Sequence, residues 1–177
     1  TPPENPDENQ DMNYVLQLIE RMQQKYNIDK GRIFMQGMSM GNLMTSQFAR
    51  YHGDVLAGKA GAGGPSLPGI LFDENDKVIN RAGPLAVWQS RCGLDHVPDH
   101  WERDTQEVVA KNREYWKIIN GCNTLPEIKI SGENNFAFYK GEHADVVFRD
   151  IFNRDHGQTL DDAEIIWDYL RSEERRV

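Results

Sequence analysis

The chain has 177 residues, a formal net charge of −8 and a sequence pI of about 5.1. This length is sufficient for one domain with a buried core, but the acidic balance leaves no basic stripe that could neutralise phosphates. The mean hydropathy is −0.69, and no apolar run approaches the roughly 18 residues of a membrane span. We therefore expect neither nucleic acid nor membrane among the partners of this chain.

The first half of the chain predicts two helices and two strands. Residues 1–10 are polar, acidic and rich in proline, which predicts a flexible lead-in. Apolar residues at helical spacing predict a helix over residues 11–26. A strand is predicted next, over residues 32–36. A second helix is expected over residues 42–51, and small residues predict a buried strand over residues 55–63.

The segment between the first strand and the second helix has the sequence Gly-Met-Ser-Met-Gly, residues 37–41. A nucleophile elbow requires this sharp strand-to-helix turn, with Ser39 at its apex. We expect Gly37 and Gly41 to supply the room, because a side chain at either position would clash with neighbouring backbone. The N-terminus of the next helix would favour a developing oxyanion. The motif alone leaves open a glycine-rich turn without any chemistry.

The second half of the chain continues the alternation of strands and helices. The predicted segments are a loop over 64–82, a strand over 84–90, a helix over 101–120, a short extended piece over 128–131, a strand over 145–152, a helix over 159–171 and a charged tail over 173–177. This alternation predicts an α/β fold with a mainly parallel sheet covered by helices on both faces. Catalytic groups are then expected at the carboxyl ends of the strands.

Two polar turns after predicted strands carry the partners that a serine nucleophile needs. Asp95 follows the strand at 84–90, and His156 lies between the last strand and the last helix. A histidine would take the serine proton, and an aspartate would orient the histidine. The order Ser39, Asp95, His156 is the one expected of an α/β-hydrolase. The alternatives are an ordinary turn aspartate and a surface histidine.

The remaining candidates compete less well for these roles. The other polar candidates are His52, His96, His100, His143 and Asp155. His96 and His100 are close to Asp95 in sequence and could line a cleft, and Trp101 is the tryptophan that best fits a substrate rim. Cys92 and Cys122 have no metal-ligand spacing. Two buried thiols are the favoured interpretation, and a disulfide, which would fit an exported enzyme, stays open.

Several runs of the chain resemble esterase-type α/β-hydrolases, the group of feruloyl esterases, acetyl xylan esterases and polyhydroxybutyrate depolymerases. The resemblance covers most of the chain and all three candidate residues. It is carried by Tyr26-Asn27-Ile28-Asp29, by residues 32–41, by Asp95 with Val97-Pro98, by Trp116 to Cys122, and by Asp155-His156-Gly157 with the helix around Trp167. The resemblance implies a three-layer α/β-hydrolase sandwich.

The resemblance also implies a function. A secreted serine carboxylic-ester hydrolase is expected, working through an acyl-enzyme without a metal or an organic cofactor. Carbohydrate-linked feruloyl or acetyl esters of plant polysaccharide are the first substrate expectation. The alternatives are a polyester depolymerase of the polyhydroxyalkanoate type, a peptidase on the same fold, and a non-catalytic carbohydrate-binding or scaffold piece.

The chain departs from the family pattern at two places. Asn42 stands where many relatives have a glycine after the elbow. The chain also starts at the helix before the nucleophile strand, whereas the first strands of the family lie upstream. We therefore expect residues 11–172 to be the C-terminal part of a single α/β-hydrolase domain, complemented by an N-terminal fragment or chain. Of the two oxyanion donors, this sequence would supply the backbone N–H of Met40, and the loop with the other donor would lie upstream.

Overall fold

Six strands form one sheet in the part of the chain that the structure describes, which is residues 6–173 of a computed structural model. The strands are β1 (Phe34–Met38), β2 (Gly58–Ala62), β3 (Ala86–Cys92), β4 (Glu127–Ser131), β5 (Asn134–Tyr139) and β6 (Val146–Ile151). The helices are α1 (Gln10–Lys25), α2 (Met40–His52), α3 (Pro68–Leu71), α4 (Thr105–Asn120) and α5 (Leu160–Leu170). Short 3₁₀ turns lie at Pro6–Glu8, Gly53–Val55 and Asp99–Trp101.

The strand order is β1-β2-β3-β6-β5-β4. The first four of these strands pair in parallel, whereas β5 pairs antiparallel with both β6 and β4. The prediction of a mainly parallel sheet is therefore confirmed. The sequence reasoning missed β5 altogether, and it assigned β4 only as a short extended piece.

Helices cover both faces of the sheet. On one face, Val87 and Phe148 pack with Phe48 of α2 and Trp116 of α4. On the other face, the neighbouring residues Trp88 and Val147 pack with Ile166 of α5. Successive strand residues therefore serve opposite cores, as the two-residue period of a strand requires, and each fully buried large side chain contributes roughly 1.5–3 kcal/mol. The predicted three-layer arrangement is confirmed.

Capping residues set the helix boundaries. The side chain of Asn9 accepts hydrogen bonds from the N–H groups of Asp11 and Met12, so α1 begins at Gln10. α4 begins at Thr105 rather than at the predicted residue 101, because Asp104 caps it. α5 begins at a capping box formed by Thr159 and Asp162.

The ends of the chain extend past this description. Residues 1–5 of the predicted lead-in and residues 174–177 of the predicted tail lie outside the described residues. Among residues 6–173, no helix is both long enough and apolar enough to cross a membrane. Cys92 and Cys122 are both buried free thiols, as the favoured interpretation expected.

Candidate active site

Ser39 lies at the turn between β1 and α2 in a strained backbone conformation. Its φ of 57° and ψ of −121° fall in a region that residues other than glycine rarely occupy. Three backbone hydrogen bonds hold this turn: the N–H of Ser39 donates to the carbonyl of Ala62 (2.8 Å), and its own carbonyl accepts from Asn42 (2.9 Å) and Leu43 (3.1 Å). Strain that is fixed in this way is typical of functional sites.

One of the two glycines expected to make room for this turn was assigned wrongly. A Cβ on Gly37 would overlap the backbone of Gly41, as predicted. A Cβ on Gly41, however, would meet nothing within 4 Å, so this position does not require glycine for space. The second position that requires glycine is Gly64, which follows β2, has a φ of +50°, and would place a Cβ against the carbonyl of Ser39.

Asn42, the residue that departs from the family pattern, connects the turn to the loop after β2. Its side-chain amide occupies the space where a Cβ of Gly61 would stand. Its Nδ2 donates to the carbonyls of Gly63 (2.5 Å) and Gly64 (3.3 Å). The departure therefore has a structural role, since Asn42 fixes the two glycines that lie against the candidate site.

Lys59, on β2, is a buried lysine close to the candidate site, and it was not among the residues predicted from the sequence. The ammonium of Lys59 donates to Ser46 Oγ (3.0 Å) and Gln89 Oε1 (3.1 Å) and lies 4.9 Å from the centre of the Trp116 ring. Ser46 Oγ donates in turn to Asn42 Oδ1 (3.3 Å). Burial lowers the pKa of Lys59 from 10.5 to about 7. The signal in the sequence was a lysine inside a predicted buried strand.

Asp95 and His156 form a hydrogen-bonded pair. The distance from His156 Nδ1 to Asp95 Oδ2 is 2.8 Å. Asp95 follows β3 and His156 follows β6, and these strands are parallel neighbours, so their carboxyl ends lie side by side. Gly63, with a φ of +59°, packs beneath the pair, and a Cβ there would lie 3.1 Å from His156 Cε1. This arrangement fixes the imidazole ring and leaves Nε2 for another partner.

All four residues predicted for the site line one cavity of about 630 Å³: Ser39, Met40, Asp95 and His156. Among residues 6–173, no hydrogen bond joins the Ser39 hydroxyl to His156. Met40 is the first residue of α2, so its N–H is one of the helix-start donors without a partner inside the helix. The structure thus brings together a strained serine, an oriented imidazole and an anion-favouring helix start.

Four of the less favoured candidates from the sequence also lie in the cavity wall. His96, His100, Trp101 and Asp155 line the same cavity. Arg91 and Arg113 line it too, and the sequence reasoning missed both. The signal for Arg91 was its place near the carboxyl end of a strand, where site residues were expected. No group of three or more His, Cys, Asp or Glu residues within 6–173 is placed to hold a metal ion.

The chain is similar in sequence to a characterised esterase, although no family model matches it. A bifunctional acetylxylan esterase/xylanase from Neocallimastix patriciarum is 33% identical over 175 residues, an alignment that takes in 90% of this chain and 23% of that protein. The chain thus spans about a quarter of the length of this relative. The predicted resemblance to the acetyl xylan esterase group is confirmed by this similarity.

The fold is similar to that of a solved esterase. An acetyl xylan esterase from Aspergillus awamori superposes with a TM-score of 0.59 at 12% sequence identity, over 90% of this chain and 67% of that one. At this identity the likeness shows the fold alone. The predicted α/β-hydrolase fold is confirmed.

Proposed function

We propose that this protein is a serine carboxylic-ester hydrolase that acts on carbohydrate-linked esters. The observation that carries the proposal is the 2.8 Å hydrogen bond between His156 and Asp95 in the cavity that Ser39 also lines. A serine hydroxyl becomes a good nucleophile only when a neighbouring base takes its proton. The similarity to acetyl xylan esterases makes an ester the expected substrate.

The proposed reaction has two steps. Ser39 Oγ attacks the ester carbonyl while His156 Nε2 takes its proton, and His156 then protonates the departing sugar alcohol. In the second step His156 takes a proton from water, which attacks the acyl group and releases the acid and the free serine. Asp95 accepts from Nδ1 throughout, which keeps the ring in the required tautomer and stabilises the imidazolium.

The backbone N–H of Met40 is the proposed oxyanion donor in this chain. It stands at the start of α2, where the partial positive charge of the helix favours the oxygen that becomes negative in the transition state. A single donor of this kind contributes about a hundredfold to a thousandfold in rate.

Acetyl and feruloyl esters of plant polysaccharide are the proposed substrates, with acetyl esters first. Both esterases that the chain resembles are named for acetyl xylan. The cavity also has a rim suited to a sugar, because Trp101 and the neighbouring ring of His100 line it, with ring centres 6.5 Å apart. An enzyme for cell-wall polysaccharide would act outside the cell.

Further strands are the proposed partner along the β1 edge of the sheet. β1 pairs with β2 alone among the described strands, and an unpaired edge strand is a template for another strand. The outer face of α1 nearby exposes Tyr14 (66%), Leu18 (43%) and Met22 (40%) at four-residue spacing. A complementing polypeptide segment would pair with β1 and cover this stripe.

A fluorophosphonate probe tests the nucleophile. We expect intact mass spectrometry to show one adduct, located on Ser39, and we expect the variant Ser39→Ala to show none. The matched control is Ser131→Ala, which removes a serine hydroxyl from the exposed strand β4, outside the cavity lining, and should keep the adduct. Hydrolysis of acetylated xylo-oligosaccharide should follow the same pattern. An adduct that persists in Ser39→Ala, or hydrolysis that does so, would overturn the proposal.

A further inference from the structure

Two arginines line the wall of the candidate active-site cavity, and only one of them is bonded to a carboxylate. Arg91 lies on β3, Arg113 lies on α4, and both line the cavity. Arg113 Nη2 donates to Asp150 Oδ1 at 2.6 Å. Arg91 and Asp150 are direct neighbours on the parallel strands β3 and β6. Arg91 nevertheless makes its side-chain hydrogen bond with a neutral acceptor, Gln106 Oε1, at 3.1 Å.

Each of the two guanidinium groups leaves one buried N–H donor without an acceptor among the described residues. The Nε atoms of both Arg91 and Arg113 are buried without a hydrogen-bond partner in the described residues. An arginine has five N–H donors, and leaving a buried donor unsatisfied costs about 1–3 kcal/mol. Arg113 cannot readily turn to relieve this deficit, because it is bonded to Asp150 and its guanidinium stacks 5.2 Å from the ring centre of Phe148.

The acidic residues of the cavity form no ion pair with Arg91. Asp95 accepts from the imidazole of His156, and Asp155 accepts from the backbone N–H of His156. Neither of these carboxylates forms an ion pair with an arginine in the described residues. Arg91 is therefore a guanidinium in the cavity wall that has no carboxylate bonded to it among the described residues.

We propose that Arg91, supported by Arg113, binds a carboxylate carried by the substrate. The substrate class would be an esterified carbohydrate with an acidic sugar, such as a uronic acid, close to the ester. A carboxylate offers two acceptor oxygens, which the fork of a guanidinium matches in a bidentate pair. This inference rests on the proposed function, since it places the acidic group in the cavity where Ser39 would act.

Matched substrates separate this inference from the proposed function. The substrates are acetylated xylo-oligosaccharides with and without a glucuronic acid side group. We expect the protein to favour the acidic substrate by about tenfold in kcat/KM, because a hydrogen-bonded charge pair contributes at this level. The variant Arg91→Gln should lose that preference through a higher KM for the acidic substrate, and Arg91→Lys should keep part of it. The matched control Arg103→Gln removes an exposed charge outside the cavity lining. It should leave kcat/KM unchanged on both the acidic and the neutral substrate.

Binding measurements decide the question even if the ester is not cleaved. Calorimetry on the variant Ser39→Ala, with the same two oligosaccharides, should show about tenfold tighter binding of the acidic one, and this difference should disappear when Arg91→Gln is added. Equal binding of both oligosaccharides, or a preference that survives Arg91→Gln, would overturn the carboxylate subsite. Failure of the proposed function would instead appear as no hydrolysis of the neutral substrate.

Discussion

The buried lysine of β2 makes a prediction about stability and pH. Lys59 is fully buried, and burial lowers its pKa from 10.5 to about 7. In the unfolded chain the ammonium is hydrated and keeps its ordinary pKa. Below about pH 7 the lysine is charged in both states, so the folded state carries the whole cost of burying the charge. Since one pKa unit corresponds to about 1.4 kcal/mol, this cost is about 5 kcal/mol.

The sign of the pH dependence follows from proton counting. Between about pH 7 and pH 10.5 the unfolded chain binds a proton that the folded chain does not, so the contribution of Lys59 to the free energy of unfolding rises with pH. From about pH 6 to about pH 9 the rise is about 2–3 kcal/mol. The variant Lys59→Met removes this dependence and keeps a side chain of similar length.

Urea unfolding of the wild type and of Lys59→Met at several pH values measures the effect. Between about pH 6 and pH 9, we expect the free energy of unfolding of the wild type to rise by about 2–3 kcal/mol more than that of the variant. The matched control is Lys129→Met on the exposed strand β4, which separates the effect of burial from the loss of a charge. If the free energies of unfolding of the wild type and Lys59→Met change equally with pH over this range, the reasoning about Lys59 is refuted.

Two further predictions concern the candidate triad. Gly64→Ala should abolish fluorophosphonate labelling of Ser39 or unfold the protein, because the new Cβ would overlap the Ser39 carbonyl at a positive φ, whereas Gly69→Ala has open space and should leave labelling and the melting temperature unchanged. Normal labelling of a folded Gly64→Ala would contradict this account of the turn. Asp95→Asn should lower kcat by about a thousandfold or more with little change in KM, since the new amide can donate to His156 Nδ1 and favour the wrong tautomer. Steady-state rates on an acetylated xylo-oligosaccharide measure this, and a loss of less than about tenfold would remove Asp95 from the proposed mechanism.

The sequence was sufficient to predict the parallel half of the sheet and the positions of the candidate site residues at the ends of its strands. Ser39, Asp95 and His156 each follow a strand whose apolar run is clear, and the carboxyl ends of parallel strands share one edge. The strand at residues 134–139 was missed because its sequence, Asn-Asn-Phe-Ala-Phe-Tyr, begins with two residues that are depleted in strands. β4 is exposed along its whole length, so it has no buried face for a sequence pattern to reveal.

Contacts between distant segments were beyond the reach of the sequence patterns. Gly64 was not recognised as the glycine that the turn requires, because its close neighbour is Ser39, which lies 25 positions earlier in the chain. Lys59 was not recognised as buried, since it needs Ser46, Gln89 and Trp116, which belong to three other elements. Local patterns report spacing along one element, whereas these roles depend on how elements pack together.

The place of β6 in the sheet has a consequence for how the protein folds. β6 is the last of the strands in residues 6–173, yet it lies between β3 and β5. It must enter a gap between segments that were synthesised earlier, and such long-range pairing is slow compared with local structure formation. His156 arrives with it and meets Asp95 across 61 positions of sequence. In the proposed mechanism Ser39 would gain its base only after β6 has entered the sheet. A growing or half-folded chain would then hold an inert serine, and hydrolysis would report the entry of β6.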